Sequence, residues 1–448
     1  MNNIKVSENK MLKNKENPQW RESSAKAVIP FVVFVVFYFG FSVFTRDFSK
    51  VPMTVAFIIS SSAALILNHK EKLTKKIEIF ALGMGKKDIM IMCLVFILAG
   101  AFTSVANAIG GVDSAVLIAQ NIIPARFIIS GIFIISAIIS LAVGTSCGTI
   151  AAIVPIAVSL SSNLEINPSF LIGAAVGGAM FGDNLSLISD TTIAATRTQN
   201  VNMKDEVIAN FKIVAIPAIL CTLLYMLPVF ANSTSEAIIT NTIQISDYIK
   251  VAPYVLLLVL GIVGLNVMFL LLIGTILNIA IGLYYSTFDI YQAFSFVGDG
   301  TTSMANTLIV AMLAGGLLQM IRYNGGINFI INKACSWIKS KKTCEFGICV
   351  LTGIINLFTA NNTVAIITSG PIAKDLSEKY NVKPVRTASL IDTTSCCIQG
   401  MIPYGAQILI ATSLANSISI SSFAIMKGLF YPLLMAAGVL ISLLISKE

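Results

Sequence analysis

Apolar runs long enough to cross a bilayer recur along the chain from Val28 to the C-terminus, separated by short polar loops. A membrane-spanning helix needs about 20 mostly apolar residues. The candidate runs lie near residues 28–45, 51–67, 89–109, 127–143, 168–186, 207–230, 304–321, 402–419 and 424–446. Allowing for broken segments, this pattern predicts an all-α polytopic membrane protein with roughly ten to twelve transmembrane helices. The run from Val255 to Tyr285 has no charged turn, so the topology of residues 251–303 stays open.

Composition agrees with this class, because 56% of the residues are hydrophobic and only 12% are charged. A soluble protein of this length would carry more charge. The net charge of +8 is spread over short loops, which indicates orientation by the positive-inside rule rather than nucleic-acid binding. The eight cysteines show no metal-ligand spacing. The single histidine, His69, lies in a basic loop, so we expect neither a serine–histidine enzyme nor a cofactor.

An internal repeat organises the chain. The matching pairs are Leu98-Ala99-Gly100 with Leu313-Ala314-Gly315, Gly110-Gly111 with Gly325-Gly326, and Pro155-Ile156-Ala157 with Pro371-Ile372-Ala373, at offsets of 215, 215 and 216 residues. Asp183 with Ser186 also resembles Asp392 with Ser395, at an offset of 209. The predicted segments are a tail (1–27), an N-terminal helical hairpin with a basic loop (28–88), a first transport repeat (89–200), connecting scaffold helices (201–303), a second transport repeat (304–420) and a C-terminal helix (421–448).

Loop charges predict that the two halves are inverted. Residues 327–342 contain four lysines, whereas the corresponding residues 112–126 contain only Arg126. Four basic residues follow the second Pro-Ile-Ala, and none follows the first before residue 169. After the aspartates the imbalance reverses, since residues 408–423 have no basic residue. Because basic loops face the cytoplasm, the halves have opposite orientation and both termini are expected to be cytoplasmic.

With this topology, residues 127–157 and 343–373 leave and return to the same side of the membrane, and each has a polar break in its middle. The first break is Gly144-Thr145-Ser146-Cys147-Gly148, and the second is Thr359-Ala360-Asn361-Asn362-Thr363. Unwound backbone at membrane depth is tolerated where protein or a water-lined cavity satisfies it, and such breaks hold ions in transporters. The alternative is an ordinary tight turn at the membrane surface.

Two aspartates, Asp183 and Asp190, lie in the polar segment FGDNLSLISDTT at residues 181–192. Ionisable groups inside a membrane are costly and mark ion or substrate pathways. If the chain is helical from Asp183, then Asp183, Ser186, Asp190 and Arg197 form one stripe. Carboxylate and hydroxyl oxygens suit a small cation, and burial disfavours the charged carboxylate, so one group can hold either a proton or sodium. For Asp190, a helix cap or an ion pair with Arg197 remains an equal alternative.

A second polar run begins at Asp392. Its polar members are Thr393, Thr394, Ser395, Gln399, Tyr404 and Gln407. Gly400, Pro403 and Gly405 predict irregular backbone there. Amides and a phenol suit an organic substrate as well as an ion.

These segments together resemble the NhaC-type sodium/proton antiporter family of the ion transporter superfamily. The resemblance rests on GTSCG with the following Pro-Ile-Ala, GDNLSLISDTT, TANNTVAII and DTTSCCIQGMIPYGAQ, and it covers most of the chain from about residue 89 onward. It implies secondary transport in a bacterial inner membrane, inverted repeats with broken helices or re-entrant hairpins, and a homodimer with an elevator-like motion. The family motifs correspond to Gly144, Thr145, Ser146, Gly182, Asp183, Ser186, Ser189, Asp190, Thr191 and Thr192. The chain departs from the pattern at Leu187, where proline is common, and at Cys147, where tryptophan is common.

Two hypotheses of function follow. The first is a sodium/proton antiporter in which Asp183 and Asp392 bind sodium and protons alternately, with Thr145, Ser146, Asn361, Asn362 and Thr363 nearby. The second is a sodium- or proton-coupled transporter of an amino acid or small organic acid, with Gln399 and Tyr404 contacting the solute. Both hypotheses need only the lipid bilayer and the transported species as partners. A channel is less consistent with paired breaks in inverted halves.

Overall fold

The computed structural model describes residues 22–445 except 45–50, 68–70, 123, 125–126, 188, 228–242, 263–264 and 336–337. The first helices are α1 (Ile29–Phe44), α2 (Met53–Ile66), α3 (Leu73–Met84), α4 (Lys87–Ala108), α5 (Gly111–Ile122), α6 (Ile128–Val143), α7 (Ser146–Asn163), α8 (Pro168–Asn184), α9 (Asp190–Gln199) and α10 (Met203–Tyr225). They are followed by α11 (Ile245–Ile262), α12 (Val267–Tyr284), α13 (Ile290–Ser303), α14 (Ala305–Tyr323), α15 (Gly326–Cys335), α16 (Lys341–Thr359), α17 (Asn362–Lys379), α18 (Pro384–Gly400), α19 (Ala406–Leu414), α20 (Ser422–Gly428) and α21 (Tyr431–Ile445). The described residues contain no β-strand.

Several of these helices are long and apolar enough to cross a membrane. Among the described residues they are Ile89–Ala108, Ser146–Asn163, Met203–Tyr225, Ile290–Tyr323 and Lys341–Thr359, and α20 with α21 qualifies as one span bent by 58°. Four shorter apolar helices of 10–17 residues accompany them. The predicted all-α polytopic membrane fold is confirmed. The region 251–303, left open by the sequence, contains the two apolar helices α11 and α12 followed by α13.

The chain divides into two compact units. One contains residues 1–90 and 310–337, and the other contains residues 91–309 and 338–448. Helices α4 and α14 each contribute residues to both units. All the candidate site residues belong to the second unit, which is therefore described below.

Corresponding helices in the second unit keep an offset of 216 residues. This offset relates the last residues of α6 and α16. It also relates the first and last residues of α7 to those of α17, and the first and last residues of α8 to those of α18. By this correspondence Asp183 aligns with Gln399, and the proposed alignment of Asp183 with Asp392 is wrong. The local likeness at an offset of 209 was misleading because this offset differs from 216 by seven residues. Seven residues are about two helical turns, so residues that far apart lie on the same face of a helix.

Helix α8 packs very closely on α6. A Cβ atom on Gly178 would lie 2.1 Å from the backbone oxygen of Phe133, and one on Gly182 would lie 2.1 Å from that of Ala137. Glycines four residues apart let two membrane helices approach to backbone contact. Asp183 follows Gly182 directly, so this contact holds its carboxylate near the end of α6, where the first break begins.

Candidate functional site

Both predicted helix breaks are present, and their backbones follow the same course. Gly144 after α6 and Ala360 after α16 adopt left-handed conformations, with φ of 73° and 49°. The next residues, Thr145 and Asn361, are extended, and a new helix then begins. The Asn361 side chain accepts a hydrogen bond of 3.0 Å from the backbone N–H of Val364 and so caps α17. Each break therefore presents a helix N-terminus inside the protein, with its partial positive charge.

Asp183, at the end of α8, lies at the N-termini of two helices, α7 and α9. Its two carboxylate oxygens accept hydrogen bonds from the hydroxyls of Ser146 and Ser189, each 2.7 Å long. Ser146 is the first residue of α7 and Ser189 caps α9. The side chain is 7% exposed, so hydroxyl donors and helix ends take the place of water around this carboxylate.

The continuous stripe from Asp183 to Arg197 is not formed, because α8 ends at Asn184 and α9 begins at Asp190. The cap expected at Asp190 is also wrong. Ser189 is the cap, and its hydroxyl oxygen accepts a hydrogen bond of 3.3 Å from the backbone N–H of Thr191. Asp190 is the exposed first residue of α9, where the helix dipole favours an acidic side chain.

Asp392 lies in the middle of α18 and is completely buried. Its Oδ2 atom accepts hydrogen bonds from the side-chain amides of Asn184, at 3.0 Å, and Asn210, at 2.9 Å. The Ser395 hydroxyl donates to the backbone oxygen of Asp392 at 2.9 Å rather than to its carboxylate. The second aspartate is thus held mainly by residues from the first half and from α10.

Three of the residues around Asp392 were missed by the sequence interpretation: Asn184, Glu206 and Asn210. Glu206 and Asn210 are one helical turn apart on α10, and neither is exposed to solvent. The sequence interpretation assigned no role to either residue, although Asn210 lies within the predicted apolar run 207–230. The available signal was their spacing, since they continue the face of α10 that buries Ile213 and Pro217.

Two glutamines connect the two breaks. The amide of Gln399 donates to the backbone oxygen of Ala360 and to Oε1 of Gln407, both at 2.9 Å. The amide of Gln407 in turn donates to the Ser146 hydroxyl at 3.0 Å. A continuous chain of hydrogen bonds therefore runs from the second break, through α18 and α19, to the serine that holds Asp183.

Other predicted site residues lie at the breaks or in their support rather than at a carboxylate. The Tyr404 hydroxyl donates to the backbone oxygen of Leu357 at 2.8 Å, and the backbone N–H of Thr363 donates to the Asn362 side chain at 3.2 Å. Ser186 and Thr192 are buried in the segment around α9. The irregular backbone predicted after Gly400 is present, because α18 ends there and α19 begins only at Ala406.

Several buried oxygens near Asp392 have no hydrogen-bond donor. They are Oδ1 of Asn184, Oε2 of Glu206, Oδ1 of Asn210 and Oδ1 of Asp392. Buried acceptors without donors are uncommon in folded proteins. Two carboxylates with amide and hydroxyl oxygens form a donor set suited to a proton or a small hard cation.

Comparisons with known proteins show the family to which the chain belongs. The family model of the Na⁺/H⁺ antiporter family matches residues 19–231 and 226–447. The chain is 25% identical over 389 residues to the Na⁺/H⁺ antiporter NhaC of Bacillus subtilis, covering 79% of this chain and 84% of that protein. It is 23% identical over 410 residues to the malate-2H⁺/Na⁺-lactate antiporter of the same organism, covering 84% and 86%.

Among solved structures, the fold is similar to the YdaH transporter of Alcanivorax borkumensis, with a TM-score of 0.42 and 16% identity over 83% of this chain and 86% of that one. The family model covers nearly the whole chain, and the resemblance seen in the motifs is confirmed. The chain belongs to the Na⁺/H⁺ antiporter family and is a membrane transporter, not an enzyme.

Proposed function

We propose that the protein exchanges sodium for protons, with Asp183 and Asp392 as the groups that bind the two ions alternately. One observation carries the proposal: two buried aspartates lie next to each other in the fold, because Asn184, the residue after Asp183, donates to Asp392, and a chain of hydrogen bonds from the second break reaches Asp183 through Ser146 of the first. A buried carboxylate is stable when it is protonated or paired with a cation, and it is costly when it is neither. Because both ions need the same oxygens, the binding of one excludes the other.

Sodium at Asp183 would find further oxygen ligands in the hydroxyls of Ser146 and Ser189. A hydroxyl that donates its proton to a carboxylate still has lone pairs for a cation. The helix N-termini stabilise the ionised aspartate, so that the proton can leave when sodium arrives. No resident cofactor is needed, since sodium and protons are the transported species.

The proposal includes two inverted halves, residues 89–200 and 304–420, that alternate access to this site. It is supported by the constant offset of 216 residues between corresponding helices. It is also supported by the corresponding loops, of which one is rich in basic residues and the other poor in them. Residues 201–303 and 421–448 would form the scaffold. By the positive-inside rule both termini face the cytoplasm of a bacterial inner membrane. A homodimer with an elevator-like motion completes the proposal.

The test uses purified wild-type protein in vesicles that contain a pH-sensitive dye. Adding sodium or lithium should move protons across the membrane, whereas potassium should not. A series of measurements over a range of pH should show loss of the response in acid, since protons then occupy the carboxylates. No response to sodium or lithium at any pH, together with uptake of a labelled amino acid, would refute sodium/proton exchange.

Exchange of a small organic acid is the second candidate, because the malate/lactate antiporter is nearly as similar to the chain as NhaC. The two side chains expected to contact such a solute are engaged within the protein, Gln399 with Ala360 and Tyr404 with Leu357. We therefore favour an ion as the substrate. Labelled malate and lactate, tested in the same vesicles with a sodium gradient, distinguish the two candidates.

Replacing Ser146 with alanine should weaken sodium exchange without abolishing it. The substitution removes one charge-assisted hydrogen bond to Asp183, worth about 1.5–3 kcal/mol, so the half-saturating sodium concentration should rise roughly tenfold or more. The matched control is Ser295→Ala, whose exposed hydroxyl contacts only the backbone of its own helix. Equal sodium dependence in the two variants would show that Ser146 does not act on the ion site.

A further inference from the structure

We propose that Glu206 and Asp392 form a carboxyl pair that holds one shared proton and releases it when a monovalent cation binds. This inference rests on the proposed exchange and adds to it the residue that carries the proton with Asp392. Glu206 lies in the first turns of α10, and neither carboxyl group has any exposure to solvent. Among the described residues, the side chains that hydrogen-bond to the two carboxyl groups are the amides of Asn184 and Asn210, and none is basic.

Asn210 fixes how close the two groups are. Its single amide nitrogen donates to Oε1 of Glu206 at 2.7 Å and to Oδ2 of Asp392 at 2.9 Å. The same nitrogen also contacts the backbone oxygen of Asn184 at 3.1 Å. Two carboxylates that share one amide cannot both stay ionised in a buried site without a compensating charge, because like charges at this separation repel strongly in a low dielectric.

The remaining oxygens indicate what compensates the negative charge of the two carboxylates. Oε2 of Glu206 and Oδ1 of Asp392 are buried without a donor, and the other oxygen of each group shares the Nδ2 donor of Asn210. A proton held between the two groups makes one of them a donor and removes one of the two negative charges. The amide oxygens of Asn184 and Asn210 are also without donors. In the absence of the proton, these oxygens and the carboxylates supply the ligands for a cation such as sodium.

The charge balance is one for one. The O–H bond of the shared acid breaks heterolytically, the proton leaves as H⁺, and one monovalent cation takes its place. Asn184, which directly follows Asp183 in the chain, donates to Oδ2 of Asp392 at 3.0 Å. The carboxyl pair therefore lies close to the other aspartate, so protonation at one site affects the other.

The other charged or titratable groups near the pair are few. Those that act on Asp392 are Asp183 from α8, Cys396 from α18 itself and Tyr431 from α21. Helix α9 contributes exposed Asp190 and Arg197, α16 contributes Glu345, whose charge is paired with Arg386 of α18, and α17 carries its charged residues from Lys374 onward. Helices α6 and α19 have no titratable residue. Helix α10 itself also carries the exposed residues Lys204, Asp205 and Lys212. The charged group from outside the pair that acts on Asp392 is the acidic Asp183, which favours retention of a proton or a cation.

The experiment measures binding of radioactive sodium to the purified full-length protein as a function of pH. In wild type the sodium affinity should fall about tenfold for each unit by which the pH is lowered, for each proton that sodium must displace. In Glu206→Gln the remaining Asp392 has lost its charged neighbour and faces an amide donor, so this fall should begin roughly one pH unit or more lower. Glu206→Asp retains the pair and should keep the wild-type pH range. Asp205→Asn is the control, since Asp205 is the exposed neighbour on the same helix.

Unchanged pH dependence in Glu206→Gln overturns the inference, while sodium-driven proton movement by wild type would still support the proposed exchange. Failure of wild type to bind or exchange sodium refutes the proposed exchange itself. If Glu206→Gln does not fold, infrared difference spectra of wild type carrying ¹³C-labelled glutamate provide the second measurement. Sodium should remove a protonated carboxyl band that the label shifts, and a sodium response without any label-sensitive change overturns the inference.

Discussion

Replacing Asp183 with asparagine is expected to abolish sodium-dependent proton movement while the protein still inserts and folds. Asparagine keeps the size of the side chain; its amide oxygen can accept a hydrogen bond from one of the two serines, Ser146 and Ser189, and its NH2 group can donate to the hydroxyl oxygen of the other. It has no charge to pair with sodium and no exchangeable proton. The loss of a buried charge interaction worth about 3 kcal/mol corresponds to a decrease of roughly a hundredfold or more in sodium affinity. The loss of exchange is measured as proton movement in dye-loaded vesicles after a sodium pulse.

A matched control separates this effect from a general effect of losing an aspartate. Asp289 is exposed and caps α13 through a hydrogen bond of 2.8 Å to the backbone N–H of Gln292. Asparagine is an equally good cap, so Asp289→Asn should exchange sodium like wild type. Full activity in Asp183→Asn would show that the ion binds elsewhere.

Replacing Gly182 with alanine is expected to destabilise the protein by about 3 kcal/mol. The added Cβ would lie 2.1 Å from the backbone oxygen of Ala137, so α6 and α8 must separate, and no flexible side chain can move away to relieve the contact. The midpoint of thermal unfolding in detergent should therefore fall. Because Asp183 is the next residue, sodium exchange by the protein that remains folded should also weaken.

The control for this variant is Gly298→Ala on α13, where a Cβ would meet nothing within 4 Å. Alanine is a better helix former than glycine, so this variant should be as stable as wild type or slightly more stable. Equal unfolding midpoints for Gly182→Ala and Gly298→Ala would contradict the close packing of α6 on α8.

Much of the architecture is predictable from the sequence because the bilayer imposes strong rules on composition. The apolar runs predict the helices, and polar residues inside such runs predict both breaks, including the irregular backbone after Gly400. The interruption after Asp183 was predicted only as the alternative in which Asp190 caps a new helix. Residues 184–189 contain neither glycine nor proline, and the helix ends there because Ser189 begins a new helix as its cap.

The environment of Asp392 was predicted least well. Its partners come from distant parts of the chain, and Glu206 follows a lysine and an aspartate that suggest a solvated loop. Only the packing of α10 against α18 shows that one member of this charged cluster turns inward. The pairing of Asp183 with Asp392 by local sequence likeness failed for a related reason. Its offset is seven residues shorter than that of the helices, and a shift of seven residues keeps the helix face but changes the position along the helix.

The central claim is that one set of buried carboxylates is occupied by either sodium or a proton. Its most direct test is uptake of radioactive sodium into vesicles driven by an imposed pH gradient that is acidic inside, with no sodium gradient present. Wild type should accumulate sodium until a protonophore collapses the pH gradient, and Asp183→Asn and Asp392→Asn should not accumulate it. Absence of uptake by wild type, or uptake by both variants at the wild-type rate, would contradict the claim.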